Sequence, residues 1–151
     1  MTESQYVIFK LQNEEYGLDI LQVSEIVLLQ EIKKFPMARV DYFEGLINLR
    51  GNIIPIIDLR RRFYGESVVV CESSRIIVAT SQNQLIGIMV DEIIGVELLN
   101  EQMIEPPPPI FGQNDSGVRG VAKLENRLII LLDLNQTFCP EDSDRIREAV
   151  C

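Results

Sequence analysis

The sequence of 151 residues contains no histidine and no tryptophan. Histidine is the most frequent general base, a common metal ligand and the usual partner of a nucleophilic serine or cysteine. Its absence argues against most enzymes, and we expect no catalytic residue, no cofactor and no metal. Cysteine is also scarce: Cys71, Cys139 and Cys151 form no CxxC pair, which disfavours a zinc knuckle or a thioredoxin-like redox site.

The chain contains fewer basic than acidic residues. The chain has 14 Lys and Arg against 23 Asp and Glu, a formal net charge of −9. Because contacts with phosphates supply most nucleic-acid affinity, a chain this acidic is a poor candidate for binding nucleic acid. The same charge opposes adsorption to anionic membrane surfaces.

Long apolar runs are missing as well. The most apolar region, residues 86–99, is interrupted by Asp91, Glu92 and Glu97, so it does not predict a membrane span. The first residues carry no basic segment followed by an apolar run, and therefore do not resemble a signal peptide. We expect a single domain over residues 1–151 that stays in the cytoplasm without direct membrane insertion.

The chain repeats itself. At an offset of 70, residues 6–9 fall on residues 76–79, and at an offset of 75, residues 45–63 fall without a gap on residues 120–138. Two blocks in the same order, with glycines and an aspartate in register, indicate an internal duplication.

Each repeat has the pattern of short β-strands. Runs of branched apolar residues alternate with turn residues at Gln12-Asn13, Arg50-Gly51, Gln82-Asn83 and Glu125-Asn126. Such strands in two related halves predict a pseudo-twofold pair of small barrels with an apolar seam between them. Asp58 and Asp133, at equivalent repeat positions, are expected to cap single helical turns rather than to act in catalysis.

The most specific motif is GLINLRG at residues 45–51, followed by IIPIIDL at residues 53–59, with EYGLDI upstream at residues 15–20. This pattern resembles the CheW family, and the resemblance covers nearly the whole chain. It implies a mainly all-β fold of two intertwined five-stranded SH3-like β-barrels with a few short helices. We assign one sub-barrel approximately to residues 12–64, the other approximately to residues 65–139 plus the N-terminal strand, and a tail to residues 140–151.

The resemblance also implies a function. CheW-like proteins are non-catalytic adaptors that couple methyl-accepting chemoreceptors to the histidine kinase CheA in bacterial chemosensing, and they are recruited to receptor arrays at the inner face of the membrane. The cytoplasmic tip of the receptor binds an apolar groove between the barrels, and the regulatory domain of CheA binds the end of one barrel. Carried onto this chain, the receptor-binding residues are Ile20, Val23, Glu25, Val27 and Ile93, and the kinase contact or loop brace is Arg50 with Gly51.

Two alternatives stay open at the level of single residues. Ile20, Val23 and Val27 have the spacing of one helical face, so they are also consistent with burial against their own barrel. The run of arginines at residues 60–62 is consistent with a solvated helical turn and also with a surface that faces an acidic partner.

The competing functional classes are a nucleic-acid-binding small barrel and a ligand-binding barrel pair. The first needs a basic, aromatic face, whereas this chain is acidic and only 7% aromatic. The second needs convergent polar groups, which the apolar groove candidates do not supply.

Overall fold

The regular structure consists of β-strands with very little helix. A computed structural model describes residues 3–34, 43–65, 70–81, 83–107 and 117–134, and in these ranges it has eleven strands, one α-helix (α1, Leu59–Tyr64) and two 3-10 turns (Ile20–Gln22 and Glu101–Met103). The strands are β1 Glu3–Leu11, β2 Glu14–Asp19, β3 Val23–Leu28, β4 Phe43–Leu49, β5 Asn52–Asp58, β6 Arg75–Ser81, β7 Gln84–Val90, β8 Glu92–Asn100, β9 Ile104–Glu105, β10 Val118–Leu124 and β11 Arg127–Leu132. The predicted all-β class is confirmed. Within the same ranges no helix is long and apolar enough to cross a bilayer.

Tight turns join the hairpins where turn residues were predicted. Gln12 and Asn13 have φ of 52° and 70°, and Arg50 and Gly51 have φ of 52° and 86°. Two successive positive φ values are typical of the turns whose twist matches that of antiparallel strands. The hairpin register is therefore set locally, by the turn residues themselves.

The strands form two sheets. The six-stranded sheet has the order β8-β1-β2-β11-β10-β9 and the five-stranded sheet has the order β3-β6-β7-β5-β4. Neighbours are antiparallel except for the parallel pairs β2–β11 and β5–β7. The strand number thus differs from the predicted five in one half, and hydrogen bonding among the described residues does not close either sheet into a complete barrel.

The duplication reappears in the strand pairing. The hairpin β1–β2 corresponds to β6–β7, and β4–β5 corresponds to β10–β11. The parallel registers are equivalent too, since Ile56 pairs with Gly87 and Leu131 pairs with Gly17. The strand that follows each first hairpin leaves its sheet: β3 pairs with β6 and β8 pairs with β1. The pseudo-twofold, intertwined arrangement follows from this exchange.

The two sheets divide the chain differently from the predicted sub-barrels, 12–64 and 65–139 with the N-terminal strand. Strands β3 to β7, within residues 23–90, form the five-stranded sheet, and the other six strands lie before and after them. The physical reason is again the exchange of β3 and β8 between sheets. The predicted tail, residues 140–151, lies outside the described residues.

Apolar side chains form three clusters. Each sheet has an inner cluster on its concave side, and a third cluster draws on both sheets; we call it the seam core. Burying one such side chain stabilises the fold by about 1.5–3 kcal/mol. The inner clusters are Ile47, Ile54, Ile56, Ile76, Val78 and Met89 in the five-stranded sheet, and Tyr6, Ile8, Leu99, Ala122, Ile129 and Leu131 in the six-stranded sheet. The seam core includes Val7, Phe9, Tyr16, Leu18, Ile57, Ile77, Ile88 and Val90.

Helix α1 is capped as predicted, but Arg60 and Arg61 are not solvated as predicted. The backbone N–H of Arg61 donates to Asp58 Oδ1 at 3.1 Å, and Gly65 ends the helix with φ of 75°. Arg60 pairs with Asp91 at 3.1 Å, and Arg61 pairs with Glu44, and both side chains are mostly buried. These arginines tie the helix to the sheets because carboxylates from distant strands lie within reach. The helical turn expected after Asp133 falls beyond Leu134, outside the described residues.

Candidate partner-binding groove

Two equivalent edge strands lie beside the seam core. β3 is an edge of the five-stranded sheet and β8 is an edge of the six-stranded sheet. Ile20, Val23 and Ile93 are half-buried and pack against the seam core. The structure therefore brings these three predicted residues to one apolar cluster shared by both sheets.

Strand register identifies two further residues on the same side. Ile26 lies opposite Ile77, and Val96 lies opposite Val7. Directly opposed residues of an antiparallel pair project from the same face. Since Ile77 and Val7 belong to the seam core, Ile26 and Val96 also project toward it, yet they are 38% and 51% exposed. We define the groove by its four central residues, which are Val23, Ile26, Ile93 and Val96.

Ile26 and Val96 were not predicted as site residues, although the internal repeat relates them to each other. At the offset of 70, Ile26 matches Val96 and Leu28 matches Leu98. All four are apolar and exposed. Because all four also lie on the two edge strands beside the seam core, we interpret them as one surface rather than as core residues.

Val27 lies on the other face of β3. It pairs with Ile76 and packs against the inner cluster of the five-stranded sheet. The helical spacing that grouped it with Ile20 and Val23 does not hold, because residues 20–22 form a 3-10 turn and residues 23–28 form a strand. In a strand successive side chains alternate between faces, and the register shift between Val23 and Glu25 changes the alternation once more.

Glu25 and Arg50 meet at one end of the five-stranded sheet. The Arg50 guanidinium donates to Glu25 Oε2, and this contact raises the pKa of Arg50. Gly51, next in the same turn, donates its backbone N–H to Asn48 Oδ1 at 2.9 Å. The Arg50 side chain is 65% exposed. The pair thus links the β4–β5 turn to the groove strand β3 and still leaves the guanidinium accessible to a partner.

Asp91 fixes the start of β8. Its carboxylate accepts the backbone N–H of Gln12 at 2.8 Å and the Arg60 guanidinium at 3.1 Å. Its backbone carbonyl accepts the Ser73 hydroxyl at 3.0 Å. Because Asp91 is the single residue between β7 and β8, these contacts set the direction in which the chain passes from one sheet to the other.

No group of three or more side chains suited to a metal ion occurs in the part of the chain that is described.

Comparison with protein families gives a match over most of the chain. The family model described as "CheW-like domain" matches residues 5–139. The chain belongs to the CheW-like family. The resemblance predicted from the GLINLRG and IIPIIDL motifs is thereby confirmed.

Individual CheW proteins are similar over nearly their whole length. The chain is 34% identical to "Chemotaxis protein CheW" of Klebsiella aerogenes over 139 residues, covering 91% of this chain and 83% of that protein. It is 30% identical to "Chemotaxis protein CheW" of Treponema pallidum over 147 residues, covering 94% and 86%. The crystal structure of the scaffolding protein TtCheW from Thermoanaerobacter tengcongensis superposes with a TM-score of 0.83 at 38% identity, covering 94% of this chain and 92% of that one. The chain is thus a CheW-like member of a family of chemotaxis scaffold proteins.

Proposed function

We propose that this protein is a non-catalytic adaptor that couples chemoreceptors to the histidine kinase CheA in the cytoplasm, at receptor arrays on the inner face of the membrane. The observation that carries the proposal is the groove, in which two edge strands that are equivalent in the repeat expose apolar residues beside the seam core. The chain also belongs to a family of scaffold proteins. A surface of this kind fits a protein partner, because burial of apolar side chains supplies most of the affinity in such interfaces.

The groove is proposed to bind the receptor tip. Its floor is the seam core, and its two sides are β3 and β8, so a helical partner lying between them would contact both repeats. Ile20 flanks it, whereas Glu25 lies opposite Val78 on the inner side of β3 and Val27 contributes only by supporting β3 from that side. The acidic net charge of −9 favours partner segments that carry basic residues around an apolar centre.

The turn of Arg50 and Gly51 is proposed to contact the CheA regulatory domain or to brace the loops that do so. An exposed arginine can form forked hydrogen bonds with carboxylates or backbone carbonyls, which makes it a frequent anchor of protein interfaces. Its partner Glu25 lies on β3, so the kinase contact and the receptor groove are linked through one strand.

The proposal is tested by reconstitution. Purified protein is mixed with a soluble receptor signalling fragment and with CheA, and complex formation and CheA autophosphorylation are measured. We expect a ternary complex and a higher phosphorylation rate than with receptor and CheA alone. Binding to heparin or to oligonucleotides in place of the receptor would favour a nucleic-acid-binding barrel and contradict the proposal.

Arg50→Ala is expected to reduce CheA activation while the melting temperature stays close to that of the unchanged protein, because an exposed side chain contributes little to folding. Arg50→Lys keeps the charge but loses the fork, and Glu25→Gln removes the internal partner only. A defect in Glu25→Gln as large as in Arg50→Ala identifies a loop brace, and a defect confined to the Arg50 variants identifies a kinase contact. Normal activation by Arg50→Ala rules out both roles.

A further inference from the structure

Arg127 forms ion pairs with two carboxylates from different strands. Its Nε donates to Glu15 Oε2 at 3.1 Å and its Nη2 donates to Glu15 Oε1 at 2.5 Å. Its Nη1 donates to Glu97 Oε1 at 2.9 Å and its Nη2 also donates to Glu97 Oε2 at 2.5 Å. One guanidinium is therefore forked onto two carboxylates, a geometry that is stronger and more directional than a single contact.

The three residues come from strands that are not all neighbours. Arg127 begins β11, Glu15 is on β2 and Glu97 is on β8, while the order of the sheet is β8-β1-β2-β11. An arginine reaches across two intervening strands only where the sheet curls, so the contact with Glu97 spans the concave side. Glu97 pairs with Tyr6 of the inner cluster, which places its carboxylate on that side.

In the other repeat the three equivalent positions carry uncharged residues. The counterparts of Glu15, Glu97 and Arg127 are Leu85, Val27 and Asn52. At the equivalent end of the five-stranded sheet lies the Arg50–Glu25 pair, in which the Arg50 side chain is 65% exposed. In contrast, the side chains of Arg127, Glu15 and Glu97 are 35%, 19% and 31% exposed. Since partial burial reduces screening by water and salt, the Arg127 network is the firmer of the two connections.

We propose that Arg127 is a positioning residue that holds β8, and with it Ile93 and Val96, in the arrangement that binds the partner. Arg127 itself is not part of the groove. Glu97 is adjacent to Val96 on the same strand, so fixing the Glu97 carboxylate fixes the segment from which Val96 projects to the opposite face. Removal of the guanidinium leaves Glu15 and Glu97 facing each other, and their mutual repulsion displaces the edge strand. This inference rests on the proposed function of the groove.

The test combines hydrogen exchange with binding of a soluble receptor signalling fragment. In Arg127→Ala we expect amide protection to fall in β8 but not in β3, and receptor binding to weaken by roughly tenfold, within the range by which residues outside a site modulate it. A triple variant introduces the uncharged residues that occupy the equivalent positions in the other repeat: Glu15→Leu, Glu97→Val and Arg127→Asn. It is expected to restore both β8 protection and receptor binding, and to bind with a weaker salt dependence than the unchanged protein.

Several outcomes would overturn the positioning role. Equal loss of protection in β3 and β8 would make Arg127 a general stabiliser, and unchanged receptor affinity with a loosened β8 would separate the network from the groove. If Arg127→Ala does not fold, the triple variant decides: protected β8 without receptor binding shows that Arg127 touches the partner directly. Val96→Asp tests the proposed function separately, because normal receptor binding by that variant refutes the groove whatever the β8 exchange shows.

Discussion

Replacement of Gly45 by alanine is expected to destabilise the protein by about 2–6 kcal/mol, a large part of the roughly 5–15 kcal/mol that stabilises a typical domain. Gly45 has φ of 151°, which L side chains rarely adopt. A Cβ at this position would lie 2.3 Å from the backbone oxygen of Lys33, and the residues at that point cannot separate without losing the two hydrogen bonds between Lys33 and Leu46. Chemical denaturation measures the loss.

Gly95→Ala is the matched control. Gly95 has nearly the same φ, 154°, but a Cβ there meets nothing within 4 Å. It therefore reports the cost of the backbone conformation alone, about 1–3 kcal/mol. Gly120, the repeat counterpart of Gly45, does not have a positive φ, but its Cβ would lie 2.8 Å from the carbonyl oxygen of Glu105, so Gly120→Ala reports the cost of the close contact alone and is expected to destabilise the protein less than Gly45→Ala. Equal losses for Gly45→Ala and Gly95→Ala would mean that the contact with Lys33 has no energetic effect.

The variants Ile26→Asp and Val96→Asp are each expected to weaken receptor binding by about a hundredfold, the effect of losing an interface anchor of about 2–4 kcal/mol. The side chains are 38% and 51% exposed, so a carboxylate in their place can stay hydrated in the free protein and is fully desolvated only when a partner covers it. The free protein should keep nearly its original stability. Titration with a receptor fragment, beside a denaturation curve for each variant, measures both quantities.

Two control variants test whether the effect depends on where the charge is introduced. Leu128→Asp introduces the same charge at a side chain that is 61% exposed on β11, which two strands separate from β8, and it should bind receptor normally. Val27→Asp introduces the charge on the inner side of β3 and should lower stability strongly, because a carboxylate would face Ile76. If Ile26→Asp and Leu128→Asp bind receptor equally well, the groove is not the binding surface.

Part of the candidate site could be predicted from the sequence, and part could not. Ile20, Val23 and Ile93 were grouped by family resemblance, and the structure packs all three against the seam core. Val27 was assigned to the groove by the same resemblance, but it lies on the opposite face of β3, because these residues lie on a strand interrupted by a register shift. Face assignment on a strand depends on every residue of the register, so a single shift moves all later side chains to the opposite side.

The elements that depend on local chemistry could be predicted before the structure was known. Turn residues with positive φ set the hairpins, Asp58 capped helix α1, and the offsets of 70 and 75 identified the duplication. The sheet that each strand joins and the charges that form ion pairs depend on contacts between residues far apart in the chain. Arg50 binds Glu25 across 25 positions, and Arg127 binds Glu15 across 112. No periodicity encodes such contacts, because they exist only after β3 and β8 have crossed between the sheets and the six-stranded sheet has curled.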